Sequence, residues 1–213
     1  MTRVILIRHG ETDWNRQRIF RGRADVLLSP EGIRQAELVT ITLKEIGIDA
    51  IYSSPLKRAL QTAQKIADFH NLEVVVEPGF MDFDYGEWQG LSHQEVRKRY
   101  PELYSRWEKE PHTVRTPGGE SLQDVRKRSV NALEKVLAEH PSRTVVIVSH
   151  RVVNKVLLCF VLGLDNSHFW RIRQDTCAVN IFEWSEDRGY VLYLLNDTCH
   201  LYRLTESGRR VDF

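Results

Sequence analysis

Apolar residues fall into two kinds of run along this chain. Short unbroken runs of strand length include Val4-Ile5-Leu6-Ile7 and, after Thr144, Val145-Val146-Ile147-Val148. Such runs predict strands buried on both faces. Longer stretches between them repeat apolar positions at helical spacing, bounded by cap and stop residues. Ser29 as N-cap and Pro30 at the first helical position open a helix that runs to Ile46, with Gly47 as its stop. Asp49 to Tyr52 reads as a second strand. Ser54-Pro55 repeats the cap chemistry and starts a helix through Phe69, followed by a third strand over Glu73 to Val76. Residues 80–91 read as irregular, punctuated by Gly79, Gly86 and Gly90. Helices are then predicted from Ser92 to Tyr100, from Pro101 to Lys109, and from Ser121 to His140, where Pro141 ends the pattern. The strand at Thr144 to Val148 leads into a helix from Val152 to Leu162. Two strands at 178–185 and 189–195, joined through Glu186-Asp187-Arg188-Gly189, complete the pattern.

Strands alternating with helices predict a three-layer α/β/α sandwich with a mostly parallel central sheet. With no Gly/Ser linker, repeat or low-complexity stretch, residues 1–213 read as a single domain. Residues 80–118 would form a small helical cap. Ligands of such sheets bind at the carboxyl ends of the strands, so the polar residues after each apolar run are the ones that matter.

Composition removes several function classes. Thirty Lys plus Arg against 29 Asp plus Glu leave a net charge of +1 over 213 residues. That balance does not suit a dedicated nucleic-acid binder. An arginine cluster at Arg16, Arg18, Arg21 and Arg23 is interleaved with Gln17, Ile19, Phe20 and Gly22, which also argues against one. No apolar run is long enough to cross a membrane, and the N-terminal run is too short for a signal peptide. Cys159, Cys177 and Cys199 are odd in number and widely spaced, which suits free thiols in a reducing cytoplasm. Trp170, Trp184 and Tyr193 fit a core or, alternatively, a homodimer interface, and the core is preferred.

Two strands end alike: the first runs into Arg8-His9-Gly10-Glu11-Thr12, and the strand ending at Val148 runs into Ser149-His150-Arg151. If these strands are neighbours, two imidazoles face each other at the carboxyl edge beside Arg8. Histidine there can serve as nucleophile, acid or base. Arg58 falls in the first turn of a predicted helix, where a cation opposes the helix dipole. It suits that position if it grips an anion. Arg8, His9, Arg58 and His150 together describe a site for a compact dianion such as a phosphoryl group. Neither a P-loop nor a dinucleotide fingerprint is present, and the histidines have no metalloprotease spacing. A rival reading is Asp82-Phe83-Asp84 as the D-x-D of a magnesium-dependent aspartyl phosphatase.

The run Leu6-Ile7-Arg8-His9-Gly10-Glu11-Thr12-Asp13-Trp14-Asn15 resembles the signature of the histidine phosphatase superfamily, also called phosphoglycerate-mutase-like. The likeness continues through Phe20-Arg21-Gly22, Ser29-Pro30-Glu31-Gly32, Ser53-Ser54-Pro55-Leu56-Lys57-Arg58, Tyr85-Gly86-Glu87-Trp88, Gly119-Glu120-Ser121 and Ser149-His150. The resemblance implies a phosphatase in which His9 attacks phosphorus, while Arg8, Arg58 and His150 hold the phosphoryl oxygens. A carboxylic acid would protonate the leaving oxygen. It further implies that no metal or cofactor is needed, and that Asn15 and the backbone near Gly22 touch phosphate. Where the family usually carries Glu as that acid, this chain has Asp82, with Asp84 as a second candidate. Arg21 and Arg151 also depart from the pattern, and would bind a second negative group on the substrate.

The stretch from Gly86 to Gly119 is shorter than in the family's mutases, which favours water as acceptor. The segments 107–112, 162–164 and 196–201 are most similar to the bacterial metal-independent phosphoserine phosphatases. That likeness implies phosphoserine as substrate, recognised in part by position 85, here Tyr85, and by the C-terminal segment with His200. Alternatives are an α-ribazole-phosphate or broad-specificity phosphatase, a phosphoglycerate mutase, and a phosphate-ligand-binding protein with weakened catalysis.

Overall fold

In the computed structural model, residues 1–204 are described, so residues 205–213 of the expected 1–213 domain lie outside the described residues. Six strands form one sheet in the order β3-β2-β4-β1-β5-β6. They are β1 (Thr2–Arg8), β2 (Ala50–Ser53), β3 (Val74–Val76), β4 (Thr144–Ser149), β5 (Val179–Ser185) and β6 (Gly189–Asp197). The first four are mutually parallel; β5 runs antiparallel to β1, and β6 antiparallel to β5. The expected mostly parallel sheet is therefore present, with an antiparallel hairpin at one side.

The unbroken apolar runs follow from burial on both faces. Val4 and Leu6 pack with Tyr52, Val145 and Ile147 into one cluster; Ile5 and Ile7 pack with Ile51, Val146 and Val148 into another. Helices α2 (Pro30–Leu43) and α3 (Lys57–His70) cover the second cluster through Val39, Leu43, Ala63 and Ile66. Helices α6 (Leu122–Glu139) and α7 (Arg151–Val161) cover the first through Val125, Leu133, Val153 and Leu157. Between β3 and α6 lie α4 (His93–Arg99) and α5 (Pro101–Lys109). Their buried Val96, Tyr104 and Trp107 join Phe83, Trp88 and Val114 in the first cluster, so the segment expected as a cap shares its core with the sheet. A short helix α1 (Asp13–Arg16), not expected from the sequence pattern, follows β1.

Two helix boundaries differ from expectation by three residues. Helix α2 ends at Leu43 rather than Ile46. Helix α3 begins at Lys57, not at Ser54-Pro55, and its N-cap Leu56 has no capping side chain. The Ser54 hydroxyl does accept the Leu56 N–H (3.3 Å), but it also faces His150. Trp170 and Tyr193, preferred as core, are 38% and 59% exposed. Cys159 and Cys177 are buried and Cys199 is exposed, all three as free thiols. No helix among the described residues is long and apolar enough to cross a membrane.

Two backbone approaches explain glycines in the motifs. A Cβ on Gly32 would lie 2.0 Å from the Glu11 carbonyl oxygen, so the loop after β1 lies directly on the start of α2. Gly86 has φ +52°, and a Cβ there would lie 2.0 Å from the Pro117 carbonyl oxygen, which ties the 84–86 and 117–119 loops together.

Candidate functional site

Strands β1 and β4 are neighbours with Arg8 opposite Ser149, which sets His9 and His150 side by side at the carboxyl edge. Their ring centroids are 5.1 Å apart and both rings are fully buried, as are Arg8 and Arg58. His9 Nδ1 is 2.6 Å from the Gly10 carbonyl oxygen. A carbonyl only accepts, so the neutral ring carries its proton on Nδ1 and presents a lone pair at Nε2. That Nε2 is buried without a hydrogen-bond partner. Burial first, then the charge of Arg58, the neighbouring His150, Arg8 and Arg21, holds His9 well below the ordinary imidazole range. The ring is therefore neutral, as a nucleophile must be.

His150 Nε2 lies 2.7 Å from Ser54 Oγ. The arrangement that satisfies Ser54 has its hydroxyl accept from Leu56 N–H and donate to Nε2. The neutral ring then carries its proton on Nδ1, 3.6 Å from Asp82 Oδ2. Burial, then Arg58, Arg128, Arg21 and Arg8, keeps this ring neutral too.

Arg58 Nη2 donates to Asp82 Oδ2 and to the Gly22 carbonyl, both at 2.8 Å, and Nη1 donates to the Ala24 carbonyl at 2.8 Å. Its Nε is buried without a hydrogen-bond partner. Arg8 Nη1 donates to the Gln174 carbonyl (2.8 Å). Asp82 also accepts from the Phe83 N–H (2.9 Å), and only 5% of the residue is exposed. The two acids of the Asp82-Phe83-Asp84 run go separate ways. Asp84 accepts from the Gly86 N–H (2.9 Å) and pairs with Arg23 (3.2 Å), so it braces the 84–86 loop. Among the described residues no three His, Cys, Asp or Glu side chains are grouped as a metal ion would require.

The remaining expected residues divide. A cavity of about 50 Å³ beside Asp82 is lined by Asn15, Arg21, Gly22, Tyr85 and Arg151. Asn15 Oδ1 accepts from both the N–H and the hydroxyl of Thr12 (2.9 Å each), which sets the orientation of its amide. Gly22 has φ +50°, and its carbonyl holds Arg58. Tyr85 is wedged edge-on between Phe20 and Phe83, and burial pushes its hydroxyl pKa up, so it stays protonated. His200 does not line the cavity. It is 8% exposed, and burial, opposed by the charge of Asp197, lowers its pKa. It stands on the C-terminal 3-10 turn (Cys199–Leu204), which packs on α2.

Two further residues shape the site without being marked by the sequence pattern. Arg128 on α6 donates to the carbonyls of Gly79 (2.9 Å), Met81 (2.5 Å) and Asp82 (3.1 Å), and is clamped by Glu120. It thereby holds the loop that carries Asp82. Ser54 orients His150. The helical pattern of α6 marks Arg128 only as a polar position, so nothing local points to its partners; Glu120 and Ser54 at least lie within the family motifs.

Burying two neutral imidazoles has a cost in acid. The unfolded chain takes up protons near the ordinary value of 6.5 while the folded chain does not, so stability is present above that pH and falls below it. Each ring adds a slope of up to about 1.4 kcal/mol per pH unit. Urea midpoints measured from pH 7.5 to 5.5 are expected to fall. The His150→Gln variant should show a shallower dependence, and an equal slope would refute this account.

The family model described as histidine phosphatase superfamily (branch 1) matches residues 4–198. Phosphoserine phosphatase 1 of Hydrogenobacter thermophilus (strain DSM 6534 / IAM 12695 / TK-6) is 42% identical over 201 residues, covering 94% of this chain and 95% of that protein. Bacillus stearothermophilus YhfR superposes with a TM-score of 0.90 at 28% identity, over 94% of this chain and all of that one. Entamoeba histolytica phosphoserine phosphatase in complex with 3-phosphoglyceric acid superposes with a TM-score of 0.85 at 32% identity, over 94% and 100%. A mutant of that enzyme in complex with phosphoserine gives the same values.

Proposed function

The chain belongs to the histidine phosphatase superfamily (branch 1), and on that premise we propose that it hydrolyses a small phosphomonoester through a phosphohistidine at His9, with phosphoserine as substrate. The observation that carries the reading is a set of buried nitrogens without a hydrogen-bond partner: His150 Nδ1 and Arg58 Nε on the two residues that face Asp82, and Nε2 of His9, whose ring lies beside that of His150. Orphaned buried polar atoms are rare in folded proteins. A phosphoryl group would accept from the two donors, His150 Nδ1–H and Arg58 Nε–H, and would offer its phosphorus to the lone pair of His9 Nε2.

The reaction then runs in two displacements. His9 Nε2 attacks phosphorus, the bond from phosphorus to the ester oxygen breaks, and Asp82 gives its proton to that oxygen, releasing an alcohol. Arg8, Arg58 and the His150 Nδ1–H hold the equatorial oxygens as charge builds on them. Water then attacks the phosphohistidine and Asp82 takes its proton. The P–N bond breaks, returning the neutral imidazole and free phosphate. Before substrate arrives Asp82 pairs with Arg58. A bound dianion would compete with Asp82 for that guanidinium.

Phosphoserine is supported by the 42% identical relative and by the Entamoeba structure with that ligand. Purified protein should hydrolyse phosphoserine in EDTA, faster than α-ribazole phosphate and sugar phosphates. Loss of activity on chelation would refute metal-independent chemistry, and a preference for another ester would reassign the substrate.

A further inference from the structure

Beyond the small cavity lies a second one of about 990 Å³, sharing Arg18, His93, Trp107, Arg151 and Trp170 with it. Phosphoryl chemistry uses none of its outer wall. That wall is strongly cationic: Arg18, Arg97, Arg151, Lys155 and Arg173 face it, against Glu108 as the one acidic residue lining it among the described residues. Arg97 is committed to Glu108 (2.9 Å) and Arg173 to Asp175 (2.7 Å).

Lys155 differs from these. It is 3% exposed and stands on α7 one turn beyond Arg151. Its Nζ sits 4.7 Å from the ring centroid of Phe169 and 4.6 Å from that of Trp170. Among the described residues it has neither an ion-pair partner nor a hydrogen-bond partner. Lysine is seldom buried unpaired, and aromatic faces replace only part of the hydration an ammonium loses. Burial, then the charges of Arg151 and Arg8, depresses Lys155 to about 7. The missing element is an anion. Arg151 lines both cavities, so an anion beside Lys155 would lie on the leaving-group side of the phosphoryl pocket.

We propose that the outer cavity is a leaving-group subsite in which Lys155 binds a carboxylate of the substrate, making it a specificity residue for phosphorylated carboxylic acids. This rests on the phosphatase reading above and adds to it the group that discriminates among esters. Lys155 contributes the charge, Phe169 and Trp170 fix its position, and Arg151 spans the distance to the phosphoryl group.

Two matched substrate pairs test this: phosphoserine against ethanolamine phosphate, and 3-phosphoglycerate against glycerol 3-phosphate. Each second member lacks the carboxylate. The wild-type protein should favour the carboxylated member. Lys155→Met and Lys155→Gln should lower kcat/KM on that member by about 10- to 100-fold, mostly through KM, the size expected for a charge-assisted contact. The loss on the member without a carboxylate should not exceed about twofold. Equal losses on both members would make Lys155 merely structural and overturn the proposal, as would no loss or a wild-type protein without preference. p-Nitrophenyl phosphate separates the two levels: if the wild type cleaves it but ignores the carboxylate, this inference alone fails. If it cleaves no phosphomonoester, the phosphatase reading fails and this one with it.

Discussion

Replacing His9 by Ala is expected to abolish turnover of every phosphomonoester, by about 10⁴-fold or more, because the covalent intermediate loses its only attachment point. The effect should fall on kcat. His150, the other imidazole of the site, offers no free lone pair at the same place: its Nε2 is taken by Ser54, and its Nδ1 side serves as a donor. Substrate should still bind, since Arg8, Arg58 and His150 remain. The decisive measurement is trapping. Wild-type protein quenched during turnover of a radiolabelled ester should retain acid-labile, base-stable phosphate, and His9→Ala should retain none. Label that survives in the variant would place the nucleophile elsewhere. Full activity of the variant would remove the phosphohistidine mechanism altogether.

Asp82→Asn should reduce kcat on alkyl phosphates by about 10²- to 10⁴-fold, the usual contribution of a general acid. The loss should be much smaller on p-nitrophenyl phosphate, whose phenolate leaves without a proton. This dependence on leaving group separates proton donation from simple disruption. Asn preserves the shape of the side chain and its acceptor oxygen for Arg58, so packing should survive. Asp84→Asn is the contrast. Asp84 braces Gly86 and Arg23, so its loss should lower thermal stability while leaving the two substrates affected alike. A leaving-group dependence at Asp84 and none at Asp82 would reverse the assignment.

Both variants probe a feature that local sequence left open. Asp82 and Asp84 lie two residues apart with the same chemistry, and no periodicity ranks them. What distinguishes them is Arg58 on α3, which pairs with the Asp82 carboxylate, and Arg128 on α6, which holds the Asp82 carbonyl. Arg21 and Arg151 posed the same difficulty: a lone arginine in a loop or first turn reads equally well as solvated. Both line the inner cavity, where Arg151 also lies over the Trp170 ring. His200 went the other way. It belongs to a segment similar to phosphatase sequences, yet its turn packs against α2 and it does not line the inner cavity.

What the chain declares by itself is the local part. Unbroken apolar runs announce strands buried on both faces, since no polar residue is tolerated on either side. The residues that follow those runs must then stand at the carboxyl edge, so Arg8, His9 and His150 are legible as a site from their positions in the chain alone. The tertiary structure alone decided partnership: which acid faces His150, which arginine holds the acid's loop, and that Lys155 is buried against two aromatic rings with no ion-pair partner among the described residues. The reason is physical. Periodicity encodes which way a side chain points from its own element, whereas burial, charge and proton position depend on elements brought together from across the chain.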